Sequence, residues 1–215
     1  MIHNVMIGIV GIISGILCAK ADVPLAWSGI KGDTADAKSV GKISDWWIKV
    51  DDRHFDRAFW HSCIGQPGTY LVMWKLADII SENSSILGLI MKICTFIGAY
   101  TGLLFHAAAC IKPIVYRRIF SEVTPETAQA AMDAVDRYPK IPSIVSTVFL
   151  ILGSSVFTVI AVIFGFLDVP KIFVLFNPVG VLPVSIISRK MDIKIGGALG
   201  IGFALLGIVL IAASV

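Results

Sequence analysis

Apolar residues in this chain arrive in blocks of roughly 20, the length an α-helix needs to cross a hydrocarbon layer about 30 Å thick. Six such blocks predict an all-α membrane bundle, a polytopic protein with six transmembrane helices over 4–27, 57–80, 86–111, 143–167, 170–188 and 194–214. They form a single transmembrane domain covering 1–215. The second block is the most polar, with His61, Gln66, Pro67, Lys75 and Asp78. Of the 215 residues 15% are charged, against roughly 25% in a soluble domain. The net charge of +3 is small and its basic residues sit between the blocks, so nothing supports a nucleic-acid partner.

Basic residues alternate from one connection to the next. The stretch 28–56 holds Lys31, Lys38, Lys42, Lys49 and Arg53, and 112–142 holds Lys112, Arg117, Arg118, Arg137 and Lys140. The stretch 189–193 holds Arg189 and Lys190, with Lys194 just beyond. The connection 81–85 has none, and the fourth has none before Lys171. Thirteen of eighteen Lys and Arg therefore fall on odd-numbered connections. By the positive-inside rule these are cytoplasmic, and both termini of a multi-pass cell-membrane protein lie outside.

Two features near the first span invite other readings. Ala19-Lys20-Ala21 follows an apolar core like a signal-peptide site, but "MIHN" lacks the basic start such a peptide needs. Cys18, Cys63, Cys94 and Cys110 all lie in apolar blocks without a CxxC pair, so they read as small buried residues. In the connections, Ser44 is placed to cap a short helix that lays Trp46 and Trp47 at the interface. Thr124 and Pro125 are placed as N-cap and first residue of another helix, with an apolar stripe of Ala128, Met132, Val135 and Tyr138.

Helix periodicity sorts the polar residues inside the spans. Membrane helices pack through small residues. Gly8, Gly11, Gly15, Ala19 and Asp22 share one face, from which Lys20 points about 160° away. Arg57, His61, Gly65, Gly68, Val72 and Lys75 share a second face, and Thr95, Gly98, Gly102, His106 and Ala109 a third. Asp22, His61 and His106 lie four or five residues from their span ends, roughly 6–8 Å inside the cytoplasmic boundary. Three helices thus aim two histidines and a carboxylate at one depth. Lys75, Asp78, Glu82 and Lys92 form an outer set, in which Lys75 and Asp78 satisfy each other at i,i+3.

The inner set fits a pocket open to the cytoplasmic leaflet. His61 or His106 acts as acid or base and Asp22 orients it. The expected ligand is lipid-like or a small amphipathic or apolar molecule, with Arg57, Trp60 and Asn177 as binding residues. Isomerisation or hydrolysis is the reaction to expect if it is turned over. Cys63, Thr95, Thr101 and Cys110 are the candidate nucleophiles, each of which ordinary packing explains better. No HxxxH or HExxH spacing supports a metal, no cofactor is implied, and oligomeric state is not indicated. Two alternatives stay open. Asn177-Pro178, with Gly180 and Pro183, can break the fifth span as in a transporter of small molecules or ions. The polar residues can equally be interhelical bonds in a purely structural bundle.

The stretches "ADVPLAWSGIKG", "DRAFWHS" and "GLLFHAAACIKPIVY" together resemble a bacterial family of six-span integral membrane proteins without an assigned activity. The resemblance covers most of the first half and implies six spans alone. The layout is similar, more loosely, to sterol isomerases of the emopamil-binding type and to six-span threonine hydrolases of fatty-acid esters, and no catalytic residue transfers from either.

Overall fold

The computed structural model describes residues 1–26, 45–191 and 197–215. Lys31, Lys38, Lys42, Ser44 and Lys194, named above, lie outside the described residues. Among the described residues the fold is all helix. Helix α1 runs Ile2–Ala26, α2 Asp52–Asn83, α3 Ser85–Phe120, α4 Pro125–Ser146, α5 Ser154–Ile163, α6 Leu182–Lys190 and α7 Ala198–Ala212. A π-helical segment, Thr147–Gly153, joins α4 to α5 without interruption. Three stretches are long and apolar enough to cross a membrane: Ile2–Leu25, Ser85–Phe120 and Pro125–Ile163. The polar residues of α2 keep it out of that set, although its length is 32 residues.

Local chemistry explains the helix ends. The Asp51 carboxylate accepts the Arg53 backbone N–H at 2.8 Å and caps α2. Ser84 alone separates α2 from α3, and its hydroxyl accepts the Leu87 N–H at 3.4 Å. A side chain at Gly88 would come 2.7 Å from the Ala77 carbonyl oxygen, so this glycine lets the hairpin close. Thr124 caps α4 with Pro125 in the first turn, as its sequence predicts. That helix does not stop before the fourth span: it continues through Pro139 and Pro142 into the π segment. Ala128 and Met132 of its stripe are buried, while Val135 and Tyr138 are exposed.

The segment expected as a fifth continuous helix, 170–188, is broken. Chain direction first changes at Gly165, whose φ of 75° suits a residue without Cβ. The Lys171 ammonium then donates to the Val162 and Ile163 carbonyls at 2.7 and 2.6 Å, capping α5. Lys171–Leu175 is a 3-10 turn, and only Leu182–Lys190 is α-helical. Asn177 holds the break: its Oδ1 accepts from Val179 and Gly180 N–H, both at 3.0 Å, and its Nδ2 donates to Val174 O at 2.7 Å. The Ser155 hydroxyl accepts a further bond from Val179 N–H at 3.2 Å. Pro178 and Pro183 bring no N–H, so the Asn side chain supplies what a helix here would lack.

Glycine and alanine set how the helices pack. α1 and α7 run antiparallel, with Gly8 against Gly207, Gly15 against Ala204 and Ala19 against Gly200. Gly11 receives Val72 of α2, while Gly65 and Gly68 of α2 receive Ser14 and Cys18 of α1. Gly98 and Gly102 of α3 receive Leu150 and Ser146. The stripes legible at four-residue spacing are therefore the contact faces, where backbones approach closely enough for dispersion to hold helices together.

Candidate functional site

Asp22 owes its position to the α1–α7 contact. The Gly197 N–H donates to the Ala19 carbonyl at 2.9 Å, and a Cβ on Gly197 would sit 2.7 Å from that of Asp22. The carboxylate therefore rests at the start of α7, where exposed N–H groups and the helix dipole favour negative charge. From α3, the His106 ring reaches the same place. Its Nδ1 lies 3.8 Å from Asp22 Oδ1, and its side chain is only 13% exposed against 37% for Asp22. That distance is too long for a hydrogen bond, and the two groups form an ion pair only when the imidazole carries a proton on both nitrogens. The ring also reaches the Ala58 backbone of α2, so three helices meet around one imidazole. Its Nε2 is buried and meets no partner with hydrogen-bond geometry. Lys20, in contrast, is exposed.

The other expected residues are placed less tightly. His61 is half-buried on α2, with Nδ1 enclosed and unpartnered. Arg57 and Trp60 are exposed; Trp60 keeps 61% of its surface. Asn177 is 1% exposed and spends its amide on its own turn, packed with Pro178 against Gly202 of α7. Among the candidate nucleophiles, Thr95 and Cys110 are buried, and the Thr101 hydroxyl donates to Ile97 O at 2.8 Å.

Beneath this site sequence reasoning missed a polar ladder along α2. Tyr70 Oη donates to Gln66 Oε1 at 2.6 Å, and Gln66 Nε2 donates to Ser62 Oγ at 2.6 Å. The i, i+4, i+8 spacing of Ser, Gln and Tyr was the available signal. The ladder ends at Tyr70. Past it, away from the site, Val72, Met73, Leu76, Ala77, Ile80 and Met91 are fully buried. Beyond that apolar layer lies the outer set, where Asp78 bridges Lys75 at 3.3 Å and Lys92 at 2.7 Å. Glu82 is exposed.

Toward the other end, an aromatic cluster replaces the interfacial tryptophans expected. Trp46 and Trp47, on the 3-10 turn Asp45–Lys49, are buried against Phe55 and Tyr116. Both indole N–H groups lack a partner. Lys112 is buried beside them, paired with Asp136 at 2.5 Å and 5.8 Å over the Trp47 ring. A cavity of about 490 Å³ lies between the start of α2 and the end of α3, lined by Ile48, Asp51, Asp52, Arg117, Arg118, Phe120 and Ser121. None of Asp22, His61 or His106 lines it. No set of three His, Cys, Asp or Glu among the described residues is arranged to hold a metal.

Comparison with protein families matches residues 1–215 to a family of unknown function, DUF6796. No curated protein and no solved structure matches the chain.

Proposed function

The chain belongs to the DUF6796 family along its whole length, a membership that assigns no activity, and we propose from its geometry that it is an integral membrane protein holding a lipid-like amphipathic ligand at the Asp22–His106 pair. It crosses the membrane six times, the fifth time as the broken segment 170–188, with both termini outside. Loops 28–56, 112–142 and 189–193 are cytoplasmic. Charge alternation supports this, and so does the course of the chain. Asn83, at the outer end of α2, donates to Phe166 O at 3.4 Å. Asn177 and Pro178 pack partway along α7 at Gly202, and α7 starts beside Asp22. Phe166 therefore lies at the outer end and Gly197 at the inner one, with Asn177 and Pro178 between them.

The observation that carries the ligand reading is the His106 imidazole. One nitrogen faces a carboxylate at 3.8 Å and the other is buried without a partner. An unsatisfied buried polar atom costs about 1–3 kcal/mol, which a ligand's polar head offsets. With Asp22 orienting it, His106 can move a proton to or from that head, as isomerisation or hydrolysis of a lipid-like molecule requires. The unpartnered Nδ1 of His61 offers a second contact. The Ser62–Gln66–Tyr70 ladder gives oxygen atoms farther along the molecule a place to bond. The apolar layer past Tyr70 favours a pocket entered from the cytoplasmic side over a path through the membrane.

One observation favours a structural reading instead: Asp22 packs on Gly197 and stabilises the start of α7. Photo-crosslinking separates the two. Protein reconstituted with a diazirine-bearing fatty-acyl lipid should be labelled near Asp22 and His106, and His106→Ala should abolish that labelling. Unchanged labelling in His106→Ala, with a lowered melting temperature in Asp22→Asn, would leave only the structural role.

A further inference from the structure

We propose that the cavity between the start of α2 and the end of α3 binds a phosphoethanolamine-type zwitterion, the head group of an inner-leaflet lipid. Its volume of about 490 Å³ falls within the range of small-molecule sites, roughly 300–1,000 Å³. Charges of both signs line it. Asp52 accepts from Arg117 Nη1 and, through Oδ2 at 2.7 Å, from Arg118 Nη2. That centre is satisfied within the protein, and beside it Arg118 and Asp51 present opposite charges to solvent.

Arg118 has 78% of its side chain exposed and holds Asp52 through one nitrogen, so further guanidinium donors face the opening. Asp51 uses Oδ1 to cap α2, and among the described residues its second oxygen makes no hydrogen bond. A lone anion would meet Asp51 and a lone cation would meet Arg118. A phosphate joined to a primary ammonium satisfies both: guanidinium matches phosphate oxygens, and the ammonium donates to the carboxylate. Quaternary ammonium has no N–H to donate, so phosphocholine fits less well.

Depth points to a lipid as the source. Arg117 lies six residues beyond Ile111, about 9 Å along the helix, at the edge of a head-group layer roughly 5–8 Å thick. This placement rests on the six-crossing reading above and is independent of the Asp22–His106 site.

The test offers full-length protein an equal mixture of phosphatidylethanolamine, phosphatidylcholine and phosphatidylglycerol with matched chains, and counts retained lipids by native mass spectrometry. Phosphatidylethanolamine should exceed each of the others by at least about fivefold, the discrimination one charge-assisted hydrogen bond provides at a partly exposed site. Asp51→Asn keeps a helix cap of equal quality while removing the charge, and should bring the ethanolamine-to-choline ratio to about one with an unchanged melting temperature. Arg118→Gln should lower retention of all three. A preference that survives Asp51→Asn, or wild-type preference for phosphatidylglycerol, overturns the proposal. Displacement by millimolar soluble phosphoethanolamine would overturn the lipid source. His106→Ala should keep the ethanolamine preference. A protein that crosslinks at His106 but shows no such preference sinks this inference and leaves the earlier reading standing.

Discussion

Replacing Gly15 by alanine tests the contact that holds Asp22 in place. The new Cβ would lie 2.6 Å from Ala204 Cα and 2.7 Å from Ala204 Cβ, where ordinary contact begins at 3.4 Å. Two helix backbones, not a flexible side chain, must give way by nearly an ångström. Overpacking of this kind costs about 1–3 kcal/mol. Alanine returns about 0.5–1 kcal/mol through helix propensity, so the net expectation is a loss of about 1 kcal/mol, or more if Gly8–Gly207 and Ala19–Gly200 separate too. Gly153→Ala is the matched control. Its Cβ meets Cys94 Cβ at 3.4 Å, leaving only the propensity gain. Equilibrium unfolding in bicelles should therefore show opposite signs for the two variants. Equal or greater stability in Gly15→Ala would mean that α1 and α7 are not in close contact, and the argument placing Asp22 beside His106 would lose its foundation.

Three further outcomes follow from the same geometry. Asp136→Ala removes the carboxylate paired with the 4%-exposed Lys112 side chain, which keeps its place over the Trp47 ring, and should cost about 1–2 kcal/mol, whereas the double variant with Lys112→Met should recover most of that loss in the same unfolding assay. Asn177→Ala removes three hydrogen bonds from the broken segment and should cost about 2–4 kcal/mol, read as faster amide exchange over 174–181. In a cysteine-free background, Ser84→Cys should react with an impermeant maleimide from outside, and Glu122→Cys only after permeabilisation; the reverse pattern would invert the proposed topology.

The helix-packing faces were legible because small residues repeat at four-residue spacing, and Gly8, Gly15, Ala19 and Asp22 fall in one line that α7 covers. The same spacing placed His106 toward Asp22. The break in the fifth segment was readable from Asn177-Pro178, since proline removes a donor and asparagine supplies a local acceptor. Arg57 shared a predicted face with His61 yet is exposed, because in those turns of α2 Phe55 and Ala58 form the buried face, packed with Leu25 and Cys110. The inward turn of Trp46 and Trp47 depends on Phe55 and Tyr116, partners that arrive from two helices distant in sequence. The π segment at Thr147–Gly153 leaves no periodic mark. There Ser154 and Ser155 return hydroxyl bonds to Leu150 and Ile151 carbonyls at 2.5 and 2.7 Å.

The most direct measurement is an experimental structure of the protein purified with its native lipids, read at His106. The Asp22–His106 account predicts non-protein density within hydrogen-bond distance of Nε2, about 3.2 Å, continuing as an apolar tail toward the bilayer. Helices α1, α2 and α3 closed on one another, with protein atoms alone around Nε2, would contradict it and reduce Asp22 to the anchor of α7.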